Sequence, residues 1–238
     1  MSWPEVCRHL DSGRRTIVCA FGATEQHGPH LPLATDTLLG DELARRVAEE
    51  LDALLAPTVA LGCSAHHGGF PGTLSVSDET FAAVVGDLVD SFARGGFARA
   101  VLLPSHGGNF APLGRAIEAV REPPGLRIDA VSDLGALVGL AIFGEQEEGI
   151  PAGEGGLHAG EWETSLLMAA NPDLVWMQHA QAGFVGEPER AVTAVFSEGV
   201  HSVSANGVIG DPRRASAERG ERYWRYITES VLATIAEK

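Results

Sequence analysis

Cysteine is scarce in this chain and follows no pattern. Cys7, Cys19 and Cys63 are the three among 238 residues. An odd number with no paired spacing excludes a disulfide framework and a thiolate zinc motif. Cys19 and Cys63 lie in or beside apolar runs, where a free thiol behaves as a small hydrophobe, so a reducing compartment is expected. Long hydrophobic runs are missing as well. No stretch approaches the ~20 apolar residues needed to span a bilayer, and the opening Met1-Ser2-Trp3-Pro4-Glu5 has no basic region followed by an apolar one. The expectation is a cytoplasmic protein with no membrane partner. Positive charge is also in deficit: 17 basic against 32 acidic residues leave a formal charge of −15. That field repels a phosphate backbone and excludes nucleic acid as a partner. Arg213, Arg214, Arg219, Arg222 and Arg225 are interleaved with glutamates and read as a solvated helix face. Internal repeats, low-complexity tracts and a clear linker are absent, so residues 1–238 read as one domain.

What remains is ordinary globular composition, 45% hydrophobic and 21% charged, organised as alternating strands and helices. Thr16 to Gly22 reads as a buried strand. Leu39, Leu43, Val47, Leu51 and Leu54 recur at helical spacing between Thr37 and Ala56, where Pro57 stops the helix. Thr58 to Gly62 is expected as the second strand. Ser75 and Asp78 resemble a capping box ahead of a helix carrying Phe81, Val85 and Phe92 and ending at Gly95-Gly96. Ala98 to Leu103 is a third strand with a helix running to about Arg121. Arg127 to Val131 is a fourth, with an apolar helix running to about Phe143. Gly144 to Gly156 reads as a Gly/Glu-rich loop, Glu161 to Ala170 as a helix, Ala191 to Ser204 as a late strand or hairpin, and Ala215 to Ala236 as a final helix. Such alternation predicts an α/β fold, a three-layer α/β/α sandwich around a mainly parallel sheet.

In open α/β sheets, ligands sit beyond the carboxyl ends of the strands. Polar clusters fall in those places: Glu25-Gln26-His27 after the first strand, His66-His67 after the second, Ser105-His106 after the third. If the first cluster is extended, Glu25 and His27 share a face, and a carboxylate beside an imidazole suits Zn²⁺ or Mn²⁺. Glycine and two prolines shape a turn able to return Asp36 to the same place. There an N-cap role competes with metal binding, and its two oxygens can bridge two cations. Gly107-Gly108 after His106 lets backbone approach a ligand closely. On the helix from Glu161, positions 163, 166, 167 and 170 share one face, which carries Leu166 and Leu167. Glu163 is therefore expected to point inward, where a carboxylate needs a cation or good donors, and Glu161 to be exposed. Glu25, Asp36 and Glu163 supply three negative charges. Five ligands exceed the usual mononuclear catalytic zinc set, so two divalent ions per chain are expected, zinc first, with manganese or iron as alternatives.

These segments resemble the creatininase (creatinine amidohydrolase) family. Thr24-Glu25-Gln26-His27-Gly28-Pro29-His30-Leu31-Pro32-Leu33 with Asp36 is similar to its signature. His66 to Ser75, His106-Gly107-Gly108-Asn109, His158-Ala159-Gly160 with Glu163, and Gly207 to Pro212 resemble its later blocks, in order along nearly the whole chain. The resemblance implies a binuclear zinc or zinc/manganese centre, hydrolysis of an amide C–N bond in a small-molecule substrate, and a homo-oligomer, commonly a hexamer. It carries metal-ligand roles to Glu25, His27, Asp36 (bridging) and His106, and the catalytic histidine to His158. Creatininase itself has a ligand glutamate where this chain has Gly108, and Glu163 is the expected replacement. The His-Gly-Gly-Asn form is closer to relatives that deformylate amides or trim a peptide in mycofactocin maturation. His66, His67 and Ser105 are the expected substrate contacts. Two other readings compete with a metal-activated water: a metal-free hydrolase using Cys63 or Ser105, and a non-catalytic binding or scaffold protein on the same fold.

Overall fold

The computed structural model describes residues 1–120, 123–186 and 188–236. In chain order its elements are α1 (Trp3–Asp11), β1 (Thr16–Phe21), α2 (Thr35–Glu50), β2 (Leu54–Leu55), α3 (Asp78–Arg94), β3 (Arg99–Pro104), α4 (Phe110–Ala119), β4 (Arg127–Ala130) and α5 (Gly135–Glu148). There follow α6 (Ala152–Gly155), α7 (Glu161–Ala170), α8 (Pro188–Glu198), α9 (Val200–Val203) and α10 (Ala217–Ala236). The four strands form one parallel sheet in the order β2-β1-β3-β4. β1 and β3 run in full register from Thr16 opposite Arg99 to Phe21 opposite Pro104, so both end at one level.

Alternation along these strands builds the layers. Val18, Ala20, Val101 and Leu103 face a core completed by α2, α7 and α10. Ile17, Cys19, Phe21, Ala100 and Leu102 face a second core with α3 and α4. Burial on both faces explains why β1 and β3 read as unbroken apolar runs. The result is the expected three-layer α/β/α sandwich. Among the described residues no helix is long and apolar enough to cross a membrane.

Several local expectations are corrected. Helix α2 stops at Glu50, and Asp52 turns the chain with φ 46°. The second strand is thus Leu54–Leu55, not Thr58 to Gly62. Beyond it Pro57 has no N–H to donate, and pairing with β1 resumes only at an isolated bridge between Phe21 and Val59. The cap of α3 is Ser77, whose Oγ accepts from the Thr80 amide at 3.2 Å, while Ser75 accepts from the Ser64 amide. Residues 144–156 are largely helical, in α5 and α6. The expected hairpin at 191–204 is α8 and α9, with Ala191, Val195 and Val200 on a buried helical face. The expected helix end at Arg121 lies outside the described residues.

Glu161 is the largest reversal. It is fully buried, because α7 packs against α10 on one side and α2 on the other. Its carboxylate accepts from Arg219 Nη1 at 2.7 Å, Ser165 Oγ at 2.7 Å and Tyr223 OH at 2.9 Å. Arg219 is accordingly a structural partner and not a solvated residue. Arg219→Ala leaves a buried carboxylate without its cation, and a loss of about 3–5 kcal/mol is expected in denaturant unfolding. A loss below 1 kcal/mol would show that the remaining hydroxyls suffice.

Candidate metal centre

The site forms where β1 and β3 end. Ser105 N donates to Phe21 O. Asn109 ties three segments together: its Nδ2 donates to Phe21 O and Gly22 O at 3.0 Å each, and its Oδ1 accepts from Cys63 N at 3.0 Å. These bonds bring residues 22–27, 62–67 and 105–109 to one point. Asp36 arrives from the first turn of α2. It makes no capping bond, since the N-cap is Ala34. Both of its oxygens face imidazoles, Oδ1 3.5 Å from His27 Nε2 and Oδ2 3.3 Å from His106 Nδ1. Glu25 Oε1 lies 3.2 Å from His67 Nε2, 3.3 Å from His106 Nδ1 and 3.7 Å from His158 Nδ1. Glu163 Oε1 reaches to 4.0 Å from His27 Nε2, and its other oxygen accepts from Ala159 N. Its side chain as a whole is 26% exposed, while the carboxylate itself turns in toward His27 and the Ala159 amide.

The other nitrogen of each ring fixes what faces the centre. His27 Nδ1 lies 3.1 Å from Glu25 O, His106 Nε2 3.3 Å from Cys63 O, and His158 Nε2 2.6 Å from Gln26 O. A carbonyl accepts only, so each of these nitrogens carries the hydrogen. Nε2 of His27 and Nδ1 of His106 and His158 then turn inward. His67 is opposite. Its Nδ1 lies 3.1 Å from the Gln26 side-chain nitrogen, which donates, so the His67 hydrogen is on Nε2, toward Glu25.

Gln26 carries this sorting, and period-two logic missed it, because between Glu25 and His27 it should point away. Its Oε1 accepts from Gly28 N, and its Nε2 also donates to Gly207 O at 3.2 Å. A Cβ at residue 207 would stand 1.9 Å from Gln26 Oε1, so glycine is required there. The same C-terminal segment pairs with His158 through mutual backbone bonds to Ile209. Ala159, at φ 51°, turns the chain from His158 into α7, a conformation costing an alanine roughly 1 kcal/mol.

The remaining expected residues divide. His66 is half-buried and stacks on His106, ring centroids 5.6 Å apart at 12°. Ser105 Oγ donates to Asp36 O at 2.7 Å and so is turned from the centre. His30 is buried, with Nε2 2.9 Å from Thr164 Oγ1.

The donor set fits divalent cations. Both oxygens of Glu25, Oδ2 of Asp36 and Nε2 of His27 are buried without a well-aligned hydrogen bond. Three overlapping groups bring ligand atoms within 4.8 Å of one another: Glu25, His27 and Asp36; His27, His158 and Glu163; and Glu25, His67 and His158. Protons fill this role when metal is absent. Burial would lower His27, but Asp36 and Glu163 lift it to about 9. His106 is likewise opposed by burial, yet Glu25 and Asp36 raise it well above its ordinary value. Burial raises the Glu25 carboxyl and carries Glu163 to about 7 against the pull of His27. Burial would also raise Asp36, but His27 and His106 hold it far below the usual carboxylate range. Burial and then His27 push His158 well down, keeping it neutral.

A pH dependence follows. His27 and Glu163 have folded values of about 9 and 7 against ordinary values of 6.5 and 4.5. Folding therefore binds protons, and that stability is lost as pH rises through the folded values. The Tm of chelated protein is expected to fall between pH 7 and pH 9.5. Cations that displace those protons should flatten or reverse the trend. A chelated Tm that rises across this interval would contradict the assignment.

The sequence of residues 1–235 matches the model of the family described as Creatininase: Creatinine amidohydrolase. Over 223 residues the chain is 32% identical to the mycofactocin precursor peptide peptidase of Mycolicibacterium smegmatis, covering 90% of this chain and 82% of that protein. It is 30% identical to the creatinine amidohydrolase of Pseudomonas putida over 257 residues, covering 100% of this chain and 95% of the other. Among solved structures, a Zn–Zn form of a glutamate-to-glutamine mutant creatininase superposes with a TM-score of 0.82 at 27% identity, covering 100% of this chain and 95% of that one. With the family model matched over residues 1–235, relatives at least 30% identical over nearly the whole chain and the fold shared with a solved creatininase, the protein belongs to the creatininase family.

Proposed function

We propose that the protein is a metal-dependent amidohydrolase in which Glu25, His27, Asp36, His106 and Glu163 hold two divalent cations, zinc first, with manganese or iron as alternatives. The observation that carries this reading is the buried pair Glu25 and Asp36: both Glu25 oxygens and Asp36 Oδ2 lack aligned donors, and the carboxylates face inward-turned imidazoles. Desolvated carboxylates of this kind need cations. Glu163 takes the place of the ligand lost at Gly108. A Cβ on residue 108 would lie 2.4 Å from both Cys63 O and His106 Nε2, so no side chain fits there.

Bound cations supply Lewis acidity and lower the pKa of water. The chain's residues supply the rest. His158 starts neutral, anchored through Nε2 to Gln26 O. Its Nδ1 is free to take a proton and return it to the leaving nitrogen of a cleaved amide. His67 Nε2 faces Glu25 Oε1 at 3.2 Å without an aligned hydrogen bond, which leaves that oxygen available to a cation. The substrate is a small cyclic amide, a formamide or a peptide-like molecule. The peptide reading draws on the mycofactocin precursor peptide peptidase, the cyclic one on the Pseudomonas enzyme.

A thiol or serine mechanism is disfavoured. Burial, with Asp78 nearby, pushes the Cys63 thiol up to about 12, and Ser105 gives its hydrogen to a carbonyl instead of an imidazole. Chelation followed by dialysis is expected to abolish turnover of creatinine, N-formyl amides or blocked peptides, with recovery on adding Zn²⁺ or Mn²⁺. Full turnover by the metal-free protein would overturn the proposal.

A further inference from the structure

We infer that the cavity beside the metal cluster, walled by His66 and Phe196, is a specificity pocket for an uncharged apolar or aromatic side chain of a peptide-like substrate. The inference rests on the amidohydrolase reading and narrows its substrate class.

The cavity measures about 580 Å³. That lies within the range of sites that enclose drug-sized ligands and far exceeds what one small ring fills. Its position ties it to the chemistry. The His66 ring is shared, stacked on His106 on one side and tilted against Phe196 on the other, with centroids 4.7 Å apart. Phe196 is 61% exposed and stands outside the small core that buries its neighbour Val195. A solvent-facing aromatic ring at the end of a ring stack that leads to a candidate ligand has apolar surface to offer.

The turn that follows His106 carries no side chain at two successive positions. Gly108 admits no side chain, and a Cβ at Gly107 would meet nothing within 4 Å, so this turn opens directly onto the cavity. Charge sets the preference for neutral ligands. Arg115 in the wall is already paired with Asp78, and Glu198 adds a negative charge with no ion pair among the described residues. A substrate carboxylate placed here meets repulsion, whereas an aromatic or aliphatic group meets Phe196.

Two substitutions act on opposite walls. Gly107→Val adds bulk to the wall at a position where a Cβ meets nothing within 4 Å, and Phe196→Ala removes the ring. The probes are blocked tripeptides with phenylalanine, glycine or aspartate in the middle position. Binding to metal-loaded protein is measured by calorimetry and cleavage by mass spectrometry, with metal content and Tm as controls. The phenylalanine peptide is expected to bind about tenfold more tightly than the glycine peptide, and the aspartate peptide more weakly than either. Each variant should erase the tenfold preference with unchanged metal content. Equal binding of the phenylalanine and glycine peptides by the parent, or a preference surviving in both variants, would overturn the pocket. A preserved preference without cleavage of any peptide would support the pocket while refuting peptide cleavage, and the chelation test on creatinine and N-formyl amides then decides the amidohydrolase reading separately.

Discussion

Asp36→Asn is expected to lower kcat/KM by at least about 10³-fold, several kcal/mol of transition-state stabilisation, and to strip metal from the protein. The side chain keeps its size, so packing at the start of α2 is preserved. What changes is charge and donor pattern. Asp36 is the group whose two oxygens face two different imidazoles, at 3.5 and 3.3 Å. An amide nitrogen in either position presents hydrogens where a lone pair is needed. The loss should appear as reduced metal stoichiometry and a collapsed gain in Tm on adding Zn²⁺. The metal-free variant should itself remain folded, and its His27 should titrate at lower pH. Normal turnover with normal metal content would remove Asp36 from the centre.

His158→Ala should behave differently. A fall in kcat of about 10²–10⁴-fold is expected for a lost proton-transfer group, with KM changed little. Metal content should stay near that of the parent, because His158 is not among the five proposed ligands. Its ring touches His27 and His67, with centroids 4.3 and 4.4 Å away, so alanine opens a gap beside the cluster. Gln26→Glu provides a second probe of the same hydrogen-bond system. It replaces the donor that faces His67 Nδ1, and a shifted pH profile with bound metal retained would mark positioning of the rings, which a merely structural glutamine would not give. If His158→Ala instead loses metal in step with activity, His158 is a ligand and the proton role fails.

The site was legible because its pieces follow apolar strands. The runs ending at Phe21 and Pro104 are buried on both faces and stand out in sequence. What lies just beyond them is then expected to converge. Glu25, His27, Asp36 and His106 do so. Reading α7 as a one-faced helix brought Glu163 to the centre but misjudged Glu161. A helix packed between α2 and α10 buries more than one stripe, and position 161 is served by Arg219, 58 residues further along. That partnership has no local signature. Gln26 escaped for a related reason: its bonds to His67 and Gly207 span 41 and 181 residues.

Errors in the fold have equally local causes. Helix α1 carries Trp3, Val6, Cys7 and Leu10 at helical spacing but buries none of them fully, and only Val6 packs in part against the second core. The segment after Phe143 is rich in glycine and glutamate and looked like loop. Glu and Gln are nonetheless good helix formers, and Glu148 is held by Arg222 at 2.7 Å from α10. In α8, alternation along 191–204 reads as a strand, but Ala191 and Val195 pack with Ile209 at helical spacing. Tertiary packing overrode propensity there. Gly108 is the reverse case, a departure visible in the sequence whose cause, contact with Cys63 O and the His106 ring, is visible only in the fold.

The central claim is that this cluster holds two divalent cations. Elemental analysis of the protein purified without added metal, beside the Asp36→Asn variant, tests it most directly. Close to two equivalents of zinc, manganese or iron per parent chain, falling sharply in the variant, is the predicted result. No transition metal in the parent, and none taken up on reconstitution, would contradict it.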